Sequence, residues 1–161
     1  MFSVCAERRR ALTCLAVVLL LAACGGGAPE TPERQVRARI EQGRQLAEQR
    51  DSGGLAELLS EDFRGPRGMS RHDVRALLLR LFFRYRHPHY LVRIKRIEPL
   101  PDGRFSVQLL VAMSATPVNL DQLSDLRARL LAIDLVFRRE DDDWRIERAA
   151  WRNAAVTDFL T

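Results

Sequence analysis

The sequence predicts an α+β fold, with three N-terminal helices followed by a meander of about four antiparallel strands. Two periodicities carry this prediction. From Val36 to Phe83 apolar residues recur at three- and four-residue spacing, and from Tyr90 to Arg148 they alternate with polar ones. Pro88 stands where one period gives way to the other, and the residue before a proline is pushed away from helix. With 161 residues, 47% hydrophobic and 29% charged, the chain has the composition of one globular domain, not of a disordered one.

The N-terminal stretch reads differently from the rest. Arg8-Arg9-Arg10 precede an uncharged, mostly apolar run from Ala11 to Ala23. A basic region followed by such a run is the pattern of a secretory signal, and the run falls short of the ~20 apolar residues of a membrane-spanning helix. Leu21-Ala22-Ala23-Cys24 resembles the lipobox of bacterial lipoprotein signal peptides. The resemblance implies a diacylglycerol on the Cys24 sulfur, cleavage before Cys24, and an outer-membrane destination because Gly25 is not aspartate. Residues 1–23 are then a signal peptide and residues 24–32 a lipidated, flexible tether of Gly, Ala, Pro and Glu. Cys5 and Cys14 would leave with the signal, so no intramolecular disulfide is expected.

The domain is expected over residues 33–155, with 156–161 as a tail. Thr31-Pro32 starts the first helix, on which Val36, Ile40, Gly43, Leu46 and Ala47 share a stripe, and Asp51-Ser52-Gly53-Gly54 ends it. Leu55, Leu58 and Leu59 mark a short second helix, and residues 63–68, FRGPRG, read as a loop. Ser70 with Asp73 forms a capping box for the third helix. There Val74, Leu77, Leu78, Leu81 and Phe82 follow the amphipathic pattern, and Leu79 and Phe83 widen the apolar face, which predicts a well-buried helix ending near Arg86.

The strands follow. Tyr90, Val92 and Ile94 alternate with Leu91, Arg93 and Lys95, and Asp102-Gly103 is a hairpin signal. Phe105, Val107, Leu109, Val111 and Met113 share one face of a long strand. Residues 115–126 read as a loop or short helical insert. Leu131, Ile133, Leu135 and Phe137 form the next strand, and the acidic run 140–143 turns into a last one through Trp144 and Ile146.

This order, with LAELLSEDF before the loop and LVFRREDDDWRIERAAW at the end, resembles the nuclear transport factor 2-like (SnoaL-type cyclase, ketosteroid isomerase) superfamily. The resemblance implies a cone in which a curved sheet wraps the helices around a pocket, with pairing of two copies through the sheet. It also implies a choice of functions, because the superfamily includes enzymes as well as binding and accessory domains.

Candidate residues can be named for each function. Phe82, Tyr90, Phe105, Leu109, Ile133 and Phe137 are candidate pocket-lining residues, and the Tyr90 hydroxyl would need a partner if buried. Asp134 is the most suggestive carboxylate for acid–base work, yet its phase along the strand is opposite to that of Ile133 and Leu135, which aims it at the outer face. His87, His89 and His72 do not make a metal site at this spacing, and no cofactor fingerprint is present. The arginines of residues 80–86 turn outward while the aromatics turn inward, so nucleic acid is not the expected partner. The formal charge of +5 and pI near 9.8 hint at acidic partners, but the arginines are scattered with no block of like charges, and acidic lipid or polysaccharide near a membrane suits them better than nucleic acid. The sequence thus favours a non-catalytic envelope lipoprotein, anchored through Cys24, that binds a small apolar ligand or an envelope protein. A small isomerase, dehydratase or cyclase using Asp134 or Tyr90, and an assembly module of an envelope complex, stay open beside it.

Overall fold

The computed structural model describes residues 30–115 and 129–160, whose elements fall in one compact unit that starts at Pro32. Residues 1–29, with the signal, Cys24 and most of the tether, lie outside the described residues, as do 116–128 of the expected insert. Among the described residues no helix is long and apolar enough to cross a membrane.

Helix α1 (Pro32–Glu48) begins where Thr31-Pro32 predicts. Val36 and Ile40 bury its stripe against Val107, Leu109, Leu135, Phe137 and Trp144 of the sheet. The indole N–H of Trp144 donates to Gln35 Oε1 at 2.9 Å, and Arg39 pairs with Asp143, so the helix is fixed to the sheet at its polar margin as well. Residues 51–54 do more than end α1. The Asp51 side chain accepts from Gly54 N at 2.9 Å and caps α2 (Ser52–Glu57). A Cβ on Gly54 would stand 2.7 Å from Asp51 Oδ2 and from Leu46 Cδ2, so a side chain there would have to displace the capping carboxylate and the leucine.

The stretch after α2 corrects the sequence reading. Leu59–Arg64, expected as helix end and loop, is a strand, β1, parallel to the last strand with Leu59 opposite Ile146. Its burial does not alternate: Leu59, Ser60 and Phe63 are buried and Glu61, Asp62 and Arg64 exposed. A register irregularity between Leu59 and Arg64 breaks the period of two, which removes the signal by which a strand is read. Ser60, fully buried, donates to Glu140 Oε1 at 2.7 Å and accepts from Arg138 Nη2 at 2.8 Å, tying β1 to the sheet through side chains.

After one 3₁₀ turn at Pro66–Gly68 comes α3 (Arg71–Arg84) with its capping box in place. Ser70 Oγ accepts from Asp73 N at 3.3 Å, and Asp73 Oδ2 accepts from Ser70 N at 2.9 Å. The helix ends at Arg84, two residues before the expected Arg86, as Tyr85 turns extended ahead of buried Pro88.

The remaining strands are β2 (His89–Pro99), β3 (Phe105–Ser114), β4 (Arg129–Glu140) and β5 (Asp143–Asn153). They form an antiparallel meander, and β1 adds an edge to give the order β1-β5-β4-β3-β2. Bulges between Ile94 and Arg96 and between Val136 and Phe137 bend the long strands. Helices α1 to α3 lie on the inner face. The outer face carries a second, smaller core. The tail expected at 156–161 includes a short helix, α4 (Val156–Leu160), whose Phe159 is 1% exposed against Leu110, Ala112 and Ala132. Arg93 donates to the Phe159 carbonyl and clamps it there.

Candidate functional site

The sheet and helices do not close completely on one another. Between them lies a cavity of about 300 Å³, at the small end of the usual range for ligand pockets. Its floor is the inner face of the sheet, where Val92, Leu109, Val111, Leu131, Ile133 and Leu135 point the same way because strand side chains alternate. Helix α3 supplies one wall with Val74, Leu78, Leu81 and Phe82. Helix α1 supplies another with Ile40, Gly43 and Ala47, and Leu55, Leu58 and Phe63 close the end beside β1.

Five of the predicted lining residues meet here: Phe82, Tyr90, Leu109, Ile133 and Phe137. Phe105 does not line the cavity. It sits at the hairpin end of β3 and packs edge-on against Trp144, with ring centroids 5.2 Å apart at 83°. Asp134 also lies elsewhere. It is exposed on the outer face, with Gln108 and Ala150 as its neighbours across the strands. His72 and His87 are exposed and His89 half-buried, none of the three lines the cavity, and no metal-binding cluster exists among the described residues.

Polar groups at the cavity are few. Arg39 and Arg44 contribute from α1; Arg44 holds Glu41 at 2.6 Å and Glu48 at 2.7 Å. Tyr90, at the start of β2, is half-buried, and its hydroxyl has no hydrogen-bond partner among the described residues. Burial, and then the nearby Glu48 carboxylate, push its pKa up to about 12. Near neutral pH it is therefore a phenol that can donate a hydrogen bond but does not serve as a base.

Sequence reading missed the residues that make the space. Gly43 and Ala149 line the cavity where a larger side chain would fill it. A Cβ on Gly43 would meet only Leu58 Cδ1 at 3.5 Å, an ordinary contact, so glycine there is not required by crowding. The available signal was a small residue within an otherwise bulky apolar stripe.

Known structures with this arrangement decide the fold. Aln2 from a Streptomyces species matches with a TM-score of 0.63 at 14% identity, over 81% of this chain and 95% of that one. The fold is nuclear transport factor 2-like. A candidate scytalone dehydratase from Novosphingobium aromaticivorans matches this nuclear transport factor 2-like domain with a TM-score of 0.63 at 14% identity, over 76% of this chain and 84% of that one. A candidate dehydratase of the nuclear transport factor 2-like family from Streptomyces avermitilis matches with a TM-score of 0.58 at 15% identity, over 78% and 99% of the two chains. No family model matches the sequence, and no curated protein does. At these identities the likeness is one of fold.

Proposed function

We propose that this nuclear transport factor 2-like domain binds a small apolar molecule in its cavity and performs no chemistry on it. The observation that carries the reading is the cavity itself, a space of about 300 Å³ walled by aliphatic and aromatic side chains with a single unengaged phenol. Apolar walls supply affinity, and one hydroxyl fixes orientation. The lipobox resemblance adds the location: a diacylglycerol on Cys24 holds the domain at the envelope, on the outer membrane facing the periplasm, and a homodimer through the sheet would use the outer face around Gln108 and Asp134.

The test is titration of residues 25–161 with an apolar fluorophore such as N-phenyl-1-naphthylamine. Binding with one-to-one stoichiometry is expected. Ala149→Phe, which fills the floor, should abolish it while leaving the thermal midpoint unchanged or higher. Fluorophore binding that survives Ala149→Phe places the ligand elsewhere and defeats the proposal. For the anchor, palmitate incorporation should disappear in Cys24→Ala.

A second reading rests on the dehydratase names carried by proteins of the same fold. In it, Tyr90 acts as a general acid towards a leaving oxygen. Turnover of a hydroxylated aromatic substrate that Tyr90→Phe removes would establish this reading over the first.

A further inference from the structure

Helix α3 has two faces with opposite surroundings. Val74, Leu78, Leu81 and Phe82 wall the cavity. At 3.6 residues per turn, Leu79 and Phe83 fall one turn apart on the other side. The structure corrects the expectation that these two deepen the buried face: Phe83 is 90% exposed and Leu79 54%. The helix packs inward on the cavity, α2 and β1, and nothing among the described residues covers its back.

The flanks of this stripe are basic. Arg75 lies on one side and Arg80 and Arg84 on the other, all exposed, and none has an ion pair among the described residues. Some arginines elsewhere in the domain hold carboxylates, as Arg37 does Glu33 and Arg104 does Asp102 and Glu147, whereas among the described residues this face has no carboxylate beside its three. The local charge originates in the sequence. From Val74 to Ile97 there are seven basic residues and no Asp or Glu.

We propose that this face of α3 is a docking surface for a membrane rich in anionic headgroups. Phe83 and Leu79 enter the boundary between headgroups and acyl chains, while Arg75, Arg80 and Arg84 pair with lipid phosphates. An apolar centre bordered by cations is the arrangement of a helix lying in an interface. Charge complementarity selects this occupant over a second copy of the chain, because self-docking would set these arginines against their own counterparts. The surface is independent of Cys24, and acylation would only raise its local concentration at the bilayer.

Residues 25–161 test this without the signal segment, which would partition into lipid by itself. Every core side chain named above lies within 32–160, so the domain is intact, and no cysteine remains. A single Phe83→Cys variant carrying an environment-sensitive dye is titrated with vesicles of phosphatidylcholine alone or mixed with phosphatidylglycerol. A blue shift is expected with the anionic vesicles only, and none from a dye at Asp134→Cys. Arg75, Arg80 and Arg84 changed together to Gln should weaken binding roughly a hundredfold, about fivefold per arginine. Leu79→Ser with Phe83→Ser should weaken it at least tenfold by co-sedimentation, with an unchanged thermal midpoint because both side chains are exposed. Raising salt from about 0.1 M to about 1 M, where the screening length falls from ~10 Å to ~3 Å, should release most of the protein. Equal affinity for both vesicle types, or undiminished binding by the arginine variant, would overturn the proposal. So would a dimer in solution that Phe83→Ser dissociates, since the face would then belong to a second copy.

Discussion

Tyr90 is the residue on which the chemistry of the cavity turns. Its phenol is held neutral by burial, with a pKa of about 12 against the ordinary value of 10.0. A raised acid loses its proton later in the folded chain than in the unfolded one. Stability from this source is therefore complete below about pH 10 and is lost as pH rises towards 12. Tyr90→Phe should flatten the alkaline limb of a stability–pH profile measured by urea unfolding and leave stability at pH 7 within about 0.5 kcal/mol. Affinity for a pure hydrocarbon probe should be retained, and affinity for a ligand that accepts a hydrogen bond should fall. Glu140 shows the opposite balance. Burial pushes its carboxyl up, but the hydroxyl of Ser60 and the guanidinium of Arg138 outweigh burial and hold it below the usual carboxylate range. Its contribution is present above the ordinary carboxylate pKa and is lost as pH falls through the depressed one. Acid should accordingly loosen β1, which Ser60 joins to this network, and protection factors of the β1 amides, exchange corrected for its intrinsic pH dependence, should fall at low pH in the parent but less steeply in Glu140→Gln.

At the scale of elements, two local devices are separable from the core. The capping box of α3 satisfies backbone donors that a helix start leaves unpaired. Ser70→Ala should cost about 1 kcal/mol by chemical denaturation, and Ser70→Asp much less. The β4–β5 hairpin is less well adapted. Asp141 and Asp142 both take positive φ, +46° and +67°, in a two-residue turn. That backbone suits a primed turn matched to strand twist, but it favours Asn and Gly. Asp142→Gly should stabilise the domain by about 0.5–1 kcal/mol, since a left-handed backbone is costly for any residue with a Cβ. The exposed Arg139–Asp142 pair that is lost contributes little to offset this. An unchanged urea midpoint in Asp142→Gly would mean that the aspartate side chain already compensates for the strain.

Across the whole molecule, two cores share one sheet. The inner core is interrupted by the cavity, while the outer one depends on a single aromatic from the last helix. Phe159→Ala should cost roughly 3 kcal/mol, because it uncovers Leu110, Ala112 and Ala132 at once. The sequence by itself determined the α1 and α3 helices, the four-stranded meander and its turns, since each is written in local periodicity, capping and turn residues. It also determined the inward phase of Leu109, Ile133 and Phe137 and the outward phase of Asp134, because strand side chains alternate strictly. It marked Cys24, whose surroundings lie outside the described residues. Tertiary structure alone decided that Leu59–Arg64 is a strand, since a bulged edge beside a parallel partner has no periodic signature. It alone decided that Phe105 belongs to the Trp144 contact and that Phe159 is core. The same holds for the two apolar faces of α3. Periodicity counts apolar residues around a helix, but only the packing of neighbours determines which of them are covered, and Phe83 is not.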